Sequence, residues 1–267
     1  MMELISVIMG VYNCEEYLEA ALNCILKQTY THWEVIMCDD SSSDNTATVA
    51  QKFAEKYPEK FRLLKNEKNM GLNFTLNKCL SEAKGTYIAR MDGDDLCADN
   101  RFEKEINILE NRKDIAIVGT DMNFFDENGV FGRTNCIKEP TNKTFITRTP
   151  FCHATCMVRK EAYLAVGGYS VDKKLLRVED YHLWGKMYAK GYKGVNILEP
   201  LYMMRDDRNA QARRKFRYRV NSAYAQLLVA KMLKLPPYTI LYVIKVLLKG
   251  LLPNFLYKYL HRRKLSR

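Results

Sequence analysis

The stretch TYIARMDGDD, residues 86–95, joins an apolar, β-rich run to a cluster of three carboxylates. A similar transition occurs earlier in the chain, where the apolar run that ends at Cys38 leads into DDSSSDNT, residues 39–46. In an open α/β sheet, ligands bind beyond the carboxyl ends of the parallel strands. We therefore expect both acidic clusters to lie at one edge of a sheet and to form a binding site there.

Strand and helix patterns alternate over the first 120 residues. The β-rich runs cover residues 4–9, 34–38, 61–65, 86–91 and 115–120. Between them, apolar residues recur with the period of a helix that packs one face on a sheet, as at Leu18, Ala21, Leu22 and Ile25. Repeated strand–helix–strand units predict an α/β fold, with a mostly parallel central sheet flanked by helices.

Positive charge is concentrated at one end of the chain. The formal net charge is +11, but residues 201–267 contain sixteen Lys and Arg against two Asp, so the first 200 residues are slightly acidic. This asymmetry predicts that the end of the chain meets an anionic surface. A basic nucleic-acid-binding protein is the alternative from another class. We do not expect nucleic acid as a partner, because the basic run 208–219 lacks a recognisable recognition module.

The cysteines predict a reduced protein. The chain has eight, with no CxxC pair, and several lie in apolar runs where a thiol packs as a small hydrophobic group. This pattern favours a reducing cytosol over a disulfide framework. Cys152, His153 and Cys156 could suggest zinc, but no second pair of ligands completes such a site. Residues 1–9 lack the basic region of a signal peptide and are predicted to form a strand.

The acidic cluster at residues 92–95 has the chemistry of a cation site. Asp92 and Asp94 can point their carboxylates the same way, and Gly93 between them lets a ligand approach the backbone. Oxygen ligands of this kind suit Mg²⁺ or Mn²⁺ bridging a diphosphate. A solvated turn is the simpler alternative.

Several of the other polar residues have ordinary structural explanations. Asp44 can cap the helix that follows it as readily as it can contact a ligand. Asn13 with Glu16 matches an N-x-x-E capping box. The acids at 179–180 begin a predicted helix, where negative charge is favoured whatever its function. Singly, none of these residues decides between the alternatives.

Five segments, taken in order, resemble the motifs of family 2 glycosyltransferases of the bacterial surface-polysaccharide type, which have the GT-A fold. They are SVIMGVYN at residues 6–13, DDSSSDNT at 39–46, NMGL at 69–72, ARMDGDD at 89–95 and EDYHLW at 179–184. The resemblance covers roughly residues 4–205. It departs from the family pattern at Val11, where the family usually has Pro, and at Ser41, where it has Gly. We expect the loop after the first strand to be less fixed as a result.

The resemblance implies an inverting transfer of a sugar from a nucleotide-diphosphate donor, with a UDP-sugar favoured, to an acceptor hydroxyl. Tyr12 would lie against the nucleobase, Asp40 would bind the base or ribose, and Asp92 and Asp94 would hold Mn²⁺ or Mg²⁺ at the diphosphate. The residues implied on the nucleotide side are Val11, Tyr12, Asn13, Asp40, Asn69, Gly71, Arg90, Asp92 and Gly93.

On the acceptor side, the resemblance implies that Asp180 takes the proton from the acceptor hydroxyl, with Glu179 as the neighbouring alternative. An acid with an ordinary pKa of about 4 is a modest base at neutral pH, so positioning would have to supply much of its effect. His153 and Trp184 are the other residues implied there. A lone His is as readily structural.

These inferences divide the chain into a catalytic domain, 1–205, and a basic helical tail, 206–267, that associates with a membrane. Within the domain, residues 1–120 would bind the nucleotide and residues 121–205 would face the acceptor, a glycan or a lipid-linked saccharide. The resulting enzyme would be cytoplasmic and peripheral on the inner face of the cell membrane. An inactive membrane-bound scaffold of the same fold is the third alternative.

Residues 238–252 are the apolar part of this tail, and they are too few to span a bilayer, which needs about 20 residues. Lys245 and Lys249 share one face of the predicted helix. Ile240, Ile244, Leu247 and Leu251 line the face roughly opposite. This pattern predicts an interfacial helix at an anionic lipid surface. The alternative is a helix packed on the catalytic domain or on a dimer partner.

Overall fold

The computed structural model describes residues 2–206 and 216–249, which form one central sheet with helices on both faces. The strands in these ranges are β1 Ile5–Val11, β2 Trp33–Asp39, β3 Phe61–Lys65, β4 Tyr87–Arg90, β5 Leu96–Cys97, β6 Ile117–Asp126, β7 Gly129–Arg133, β8 Met157–Arg159 and β9 Gly194–Arg205. The helices are α1 Glu15–Leu26, α2 Thr46–Lys56, α3 Leu72–Glu82, α4 Arg101–Asn111, α5 Thr144–Thr147, α6 Lys160–Ala165, α7 Glu179–Ala189, α8 Phe216–Met232 and α9 Thr239–Lys249. Short 3₁₀ turns cover His153–Thr155 and Lys173–Leu175.

The strand order is β3-β2-β1-β4-β8-β6-β9-β5, with β7 paired to β6. The strands β3, β2, β1 and β4 are parallel to one another, as the sequence predicted. β8 is antiparallel to β4, so the beginning of β8 lies at the edge where β1, β2 and β4 end. This topology confirms the predicted α/β fold and brings several loops to one edge of the sheet.

Strand β1 is buried on both faces, which is why its sequence is almost continuously apolar. Ile5, Val7 and Met9 pack in the cluster formed with α1, α2 and α4. Ile8 points to the opposite face, into the cluster formed with α3, α7 and α8. A parallel strand covered by helices on both sides has this pattern, and each large side chain that it buries contributes about 1.5–3 kcal/mol.

Helix α7 follows the prediction, since it begins at Glu179 and is followed by Gly191 in a left-handed conformation, φ +90°. Its Gly185 allows α8 to pack closely. A Cβ at that position would meet Val229 Cγ2 at 2.5 Å. Ala225 and Val229 of α8 are fully buried in the same cluster as α7. The first helix of the predicted tail therefore packs against the catalytic domain.

Helix α9 packs one face against α8 and leaves another exposed. Thr239 and Val243 are buried. The exposed side chains are Ile240, Leu241, Ile244, Lys245 and Leu248. The predicted alternative, a helix packed on the protein, is thus observed for one face of α9. Ile240 and Ile244, which were predicted to face lipid, remain exposed. Leu251, residues 207–215 and the basic residues 258–267 lie outside the described residues. In the described ranges, no helix combines the length and hydropathy needed to cross a membrane.

Candidate active site

The loops after β1, β2 and β4 meet at the carboxyl edge of the parallel strands, as the sequence predicted. The turn His153–Thr155 reaches the same edge because it precedes β8, and the Arg90 backbone N–H donates to the carbonyl of Cys156 at 3.0 Å. The beginning of α7 completes the group. The charge of Arg90 acts on both Asp180 and His153. The end of β4, the turn before β8 and the beginning of α7 therefore meet near one guanidinium.

The β1–α1 and β2–α2 loops hold each other through backbone N–H groups that donate to side-chain oxygens of the opposite loop. The bonds run from Asn13 N to Ser42 Oγ at 3.1 Å, Cys14 N to Thr46 Oγ1 at 2.8 Å, Glu15 N to Asp44 Oδ2 at 3.2 Å, Ser43 N to Asn13 Oδ1 at 2.9 Å and Asn45 N to Glu15 Oε2 at 2.7 Å. Tyr12, on the first of these loops, is half exposed. The loops thus present an aromatic ring on a well-supported backbone.

This arrangement corrects one prediction. The capping box of Asn13 and Glu16 is wrong, because α1 has no side-chain cap from its own first turn and the Asn13 carboxamide accepts from the Ser43 N–H instead. The carbonyl of Val11, at the position where the family usually has Pro, accepts from the Asp40 N–H at 2.9 Å. Asp44 does act as a cap, since its Oδ1 accepts from the Thr46 N–H at 2.9 Å.

Ser41 shows how the β2–α2 loop tolerates the replacement of Gly. Its φ is +61°, in the left-handed region that Gly adopts without strain. The serine therefore retains the backbone conformation expected of the glycine, at a cost in conformational energy.

Asp40 is buried and organises the N-x-G-L segment. Its carboxylate accepts from Asn66 Nδ2 at 2.8 Å and from the backbone N–H groups of Met70 and Gly71, both at 2.8 Å. Gly71 has φ +85°, which explains the glycine. Asn69 is exposed beside this contact. The structure thus gives Asp40 a structural role in addition to any contact with a nucleotide.

Arg90 is buried at the end of β4 and pairs with Asp92, Nη2 to Oδ1, at 2.6 Å. Burial lowers the pKa of this guanidinium, but the charge of Asp92 more than offsets it, so the pKa lies above its usual value. The Nε of Arg90 is buried without a protein partner. Arg90 therefore acts on the site through Asp92 and through its charge, with little surface for direct contact.

The acids of the 92–95 turn have different environments. The Asp92 side chain is 24% exposed and Asp94 is partly exposed, whereas Asp95 is buried and bonded inside the protein. Burial, with the charges of Asp92 and Asp94, raises the pKa of Asp95 to about 8. Asp92 and Asp94 are thus the two carboxylates of the turn that keep partial solvent exposure.

Gly93 has a packing role that the sequence did not predict. A Cβ there would meet Cys14 Sγ at 2.9 Å and Val11 Cγ1 at 3.2 Å. The glycine is explained by the close approach of the β1–α1 loop, and the expected approach of a ligand is not needed to account for it.

The donor set of this turn fits a hard cation that is shared with a substrate. In residues 2–206 and 216–249, no group of three or more His, Cys, Asp or Glu side chains could enclose a metal ion by itself. A pair of carboxylates suits Mg²⁺ or Mn²⁺ that completes its coordination with phosphate oxygens and water.

The pKa of Asp180 differs from the ordinary acid value of about 4 that the sequence suggested. Burial raises the pKa of its carboxyl to about 6, with a further contribution from the charge of Glu179 and an opposing one from Arg90. A base with a pKa closer to neutrality is better matched to proton abstraction. Glu179 lies beside it with its Oε2 buried and without a protein partner.

His153 and Trp184 lie next to each other, but at different depths. The ring centroids are 5.9 Å apart, and His153 Nε2 is 2.8 Å from the Tyr169 hydroxyl. Burial, reinforced by the charge of Arg90, holds the pKa of His153 well below its usual value, so the ring is neutral at pH 7. Trp184 is completely buried, so it packs next to His153 in the protein interior and offers no surface to an acceptor.

Sequence reasoning missed Tyr202 and Arg205 of β9, which contact the 92–95 turn. The Tyr202 hydroxyl bonds to the Asp92 N–H and to Asp95, and the Arg205 N–H bonds to Asp95. No local pattern marks either residue, because their partners lie more than 100 positions earlier in the chain.

Comparison with known proteins agrees with this geometry. The family model for glycosyl transferase family 2 matches residues 6–167. The chain belongs to this family. It is therefore a glycosyltransferase, and the matched segment contains the β1 loop, the β2 loop and the 92–95 turn.

Related family 2 sequences extend beyond the matched segment. A Bacillus subtilis protein, EpsE, whose name describes it as a glycosyltransferase, is 39% identical over 260 residues, which cover 97% of this chain and 94% of that one. The amylovoran biosynthesis glycosyltransferase AmsE of Erwinia amylovora is 30% identical over 205 residues, 75% of each chain. The Escherichia coli enzyme WfgD, a UDP-Glc:alpha-D-GlcNAc-diphosphoundecaprenol beta-1,3-glucosyltransferase, is 30% identical over 181 residues, 68% of each chain.

Solved structures show that this family 2 glycosyltransferase has the GT-A fold. TarS from S. aureus, in complex with UDP-GlcNAc, superposes with a TM-score of 0.69 at 19% identity over 93% of this chain and 72% of that one. The mannosyltransferase PcManGT of Pyrobaculum calidifontis, in complex with GDP-Man and Mn²⁺, has a TM-score of 0.68 at 19% identity over 92% of this chain and 72% of that one. At this identity the likeness concerns the fold alone.

Replacing Ser41 by Gly should stabilise the protein. The left-handed conformation costs a non-glycine residue about 1–2 kcal/mol, and the greater freedom of Gly in the unfolded chain returns about 0.5–1 kcal/mol. We expect a net gain of up to about 1 kcal/mol in the free energy of unfolding, measured by urea denaturation. Ser43→Gly, in the same loop but without positive φ, should lower it. A loss of stability in Ser41→Gly would contradict the strained conformation.

Proposed function

We propose that this family 2 glycosyltransferase transfers a sugar, with inversion, from a nucleotide-diphosphate donor to an acceptor hydroxyl, and that a UDP-sugar is the favoured donor. The observation that supports the proposal is that the Tyr12 loop packs on the turn of Asp92 and Asp94 at one edge of the sheet, while Arg90 interacts with both Asp92 and Asp180. The names of AmsE and WfgD support a surface-polysaccharide or lipid-linked glycan as the acceptor.

The donor would lie across the ends of β1, β2 and β4. The half-exposed ring of Tyr12 offers a flat surface to a nucleobase, and the Asp40 region, with the exposed Asn69, forms the neighbouring wall. Asp92 and Asp94 would hold Mn²⁺ or Mg²⁺, which neutralises charge on the leaving diphosphate when it is bound. Arg90 keeps the Asp92 carboxylate in place and adds positive charge beneath it.

The acceptor would approach from the α7 side. Asp180 would accept the proton of the acceptor hydroxyl as that oxygen attacks the anomeric carbon from the face opposite the leaving diphosphate. Its raised pKa of about 6 makes it a stronger base than an exposed aspartate, while it stays mostly ionised at pH 7. Neutral His153, held by Tyr169, would line this side as a hydrogen-bonding group without charge.

We further propose that the enzyme is cytoplasmic and associates peripherally with the inner face of the cell membrane through α9. Ile240, Leu241, Ile244 and Leu248 are each at least 45% exposed and lie on one side of the helix, bordered by Lys245. Exposed apolar side chains next to basic groups match an anionic lipid surface. The region 201–267, with its sixteen basic residues, supplies the complementary charge.

Family membership favours this function over the nucleic-acid-binding alternative, and the paired carboxylates favour activity over an inactive scaffold. Asp92 and Asp94 both keep partial solvent exposure, and Asp180 has an environment suited to a base.

The donor can be identified by supplying UDP-, dTDP- and GDP-sugars with Mn²⁺ or Mg²⁺ and measuring the release of nucleotide diphosphate. We expect release with one donor, abolished by chelator and reduced at least 100-fold in Asp94→Ala. Asp114→Ala, an exposed aspartate away from the site, is the matched control and should retain the activity. If no donor yields nucleotide diphosphate and none stabilises the folded protein against heat, the proposed reaction is wrong.

The rate should depend on pH through Asp180. The base must be ionised, so activity should fall below a pKa of about 6 and be roughly tenfold lower at pH 5 than at pH 7. Asp180→Asn should lower kcat/KM by at least 100-fold across this range. Glu179→Gln should lower the pH below which activity falls, because it removes a negative charge that raises the pKa of Asp180. If instead Glu179→Gln abolishes activity and Asp180→Asn only shifts the pH at which activity falls, Glu179 is the base and Asp180 is the neighbouring acid.

Membrane association can be measured by flotation of the full-length protein with phosphatidylcholine vesicles that contain phosphatidylglycerol. Leu241→Gln with Leu248→Gln should weaken binding by about tenfold or more, because both exposed side chains would leave the lipid. Leu164→Gln, at an exposed leucine of α6, is the matched control and should bind as the wild type does. High salt should also weaken binding. Equal binding of the two variants would exclude α9 as the lipid contact.

A further inference from the structure

The 92–95 turn, which carries Asp92 and Asp94, is held in place by hydrogen bonds from strand β9. The Tyr202 hydroxyl accepts from the Asp92 N–H at 3.1 Å and donates to Asp95 Oδ2 at 2.8 Å. The Arg205 backbone N–H donates to Asp95 Oδ1 at 2.7 Å, and its Nε donates to the Asp94 carbonyl at 3.2 Å. Every acid of the turn is therefore contacted by a residue of β9.

The Tyr202 side chain is itself rigidly placed. It is completely buried, and the guanidinium carbon of Arg101 lies 5.1 Å from its ring centroid. Arg101 is also buried, forms an ion pair with Glu105 at 3.2 Å, and donates from Nη2 to the carbonyl of Arg90 at 3.0 Å. The same arginine thus supports the tyrosine and the strand end that leads into the turn.

The register of β9 decides that a tyrosine reaches this point. Gly194–Ile197 pair with Ile117–Thr120, but the register then shifts, and Tyr202 pairs with Met122. On its other side β9 pairs with β5, where Cys97 is opposite Tyr202. A bulge of this kind redirects the side chains that follow it. The extra residues near Leu198 and Glu199 thereby set which residues of β9 meet the turn.

We propose that Tyr202 is a positioning residue for the cation-binding turn, and that Arg205 assists it from the other end. Tyr202 is buried beneath the turn and would act only through Asp92 and Asp95. This inference rests on the proposed function, because it assigns to the turn the task of holding Mn²⁺ or Mg²⁺ with the donor diphosphate.

The physical reason is preorganisation. Two carboxylates bind a shared cation well only if they are already held near the required geometry, and residues that orient ligands typically change metal affinity by 10–100-fold when they are removed. Without the Tyr202 hydroxyl, the Asp92 N–H and Asp95 Oδ2 lose a shared partner inside the protein. The turn would then sample other conformations, and the cation would bind more weakly before the chemistry itself is affected.

The test is a titration of the full-length protein with Mn²⁺ in the presence of UDP, followed through the electron paramagnetic resonance signal of free Mn²⁺. Tyr202→Phe should raise the Kd for Mn²⁺ by about 10–100-fold. Nucleotide release from the donor should recover to within a few fold of the wild-type rate when Mn²⁺ is saturating. A purely structural defect would lower the rate without such recovery.

The matched control is Tyr188→Phe, which removes a buried hydroxyl that donates to the Pro140 carbonyl at 3.1 Å, far from the turn along the chain. It should leave the Kd for Mn²⁺ unchanged. Arg205→Met provides a second test if Tyr202→Phe fails to fold, since Arg205 is only partly buried and keeps its backbone bond to Asp95. It should also raise the Kd for Mn²⁺.

Two results would overturn the inference. Unchanged Mn²⁺ affinity in folded Tyr202→Phe and Arg205→Met, with wild-type protein that does bind Mn²⁺ and UDP, would exclude the positioning role and leave the proposed function standing. If the wild-type protein turns over the donor in the presence of chelator, the reaction does not need a cation at the turn, and the inference fails. Failure of the wild-type protein to bind any donor would instead contradict the proposed function itself.

Discussion

The buried ion pair of Arg90 and Asp92 is the interaction on which the site depends. A guanidinium removed from water is strongly unfavourable unless a carboxylate and hydrogen bonds compensate for its lost hydration. Arg90 is placed inside the protein by the end of β4, so Asp92 must turn back toward it. That requirement fixes the direction of the first acid of the turn. It also places a permanent positive charge near Asp180 and His153, so that one residue acts on the 92–95 turn, the beginning of α7 and the turn before β8.

Around this pair, the acids at the edge of the sheet divide into two groups. Asp39, Asp40 and Asp95 are buried, and each is satisfied by protein donors: the Ser42 hydroxyl, the Asn66 and backbone N–H groups, and Tyr202 with the Arg205 N–H. Asp92, which pairs with Arg90, and Asp94 keep partial solvent exposure. Burial and the charges of Asp92 and Asp94 raise the pKa of Asp95, which lowers the negative charge that Asp95 adds beside them.

The β1–α1 and β2–α2 loops are linked by hydrogen bonds in the segments where the family pattern would use Pro and Gly. Val11 keeps the strand geometry, Ser41 accepts a left-handed conformation, and the two loops exchange backbone-to-side-chain bonds. The same bonds satisfy the first N–H groups of α1, which lacks a cap of its own. The same hydrogen bonds therefore link the two loops and cap α1, and the exposed Tyr12 ring lies on one of the loops that they join.

The sequence by itself determined the fold class, the edge of the sheet that forms the site, and the segments that meet there, because strand and helix periods are local and parallel strands end at one edge. It could not determine which acids are buried and which keep solvent exposure, why Gly93 is needed, or that Trp184 is completely buried next to His153. Those depend on contacts between residues far apart in the chain, such as Tyr202 with Asp95 and Gly93 with Cys14. The raised pKa of Asp180 is likewise a property of burial and of neighbouring charge. Only the tertiary structure decided these points, since desolvation and hydrogen-bond geometry arise when distant segments are packed together.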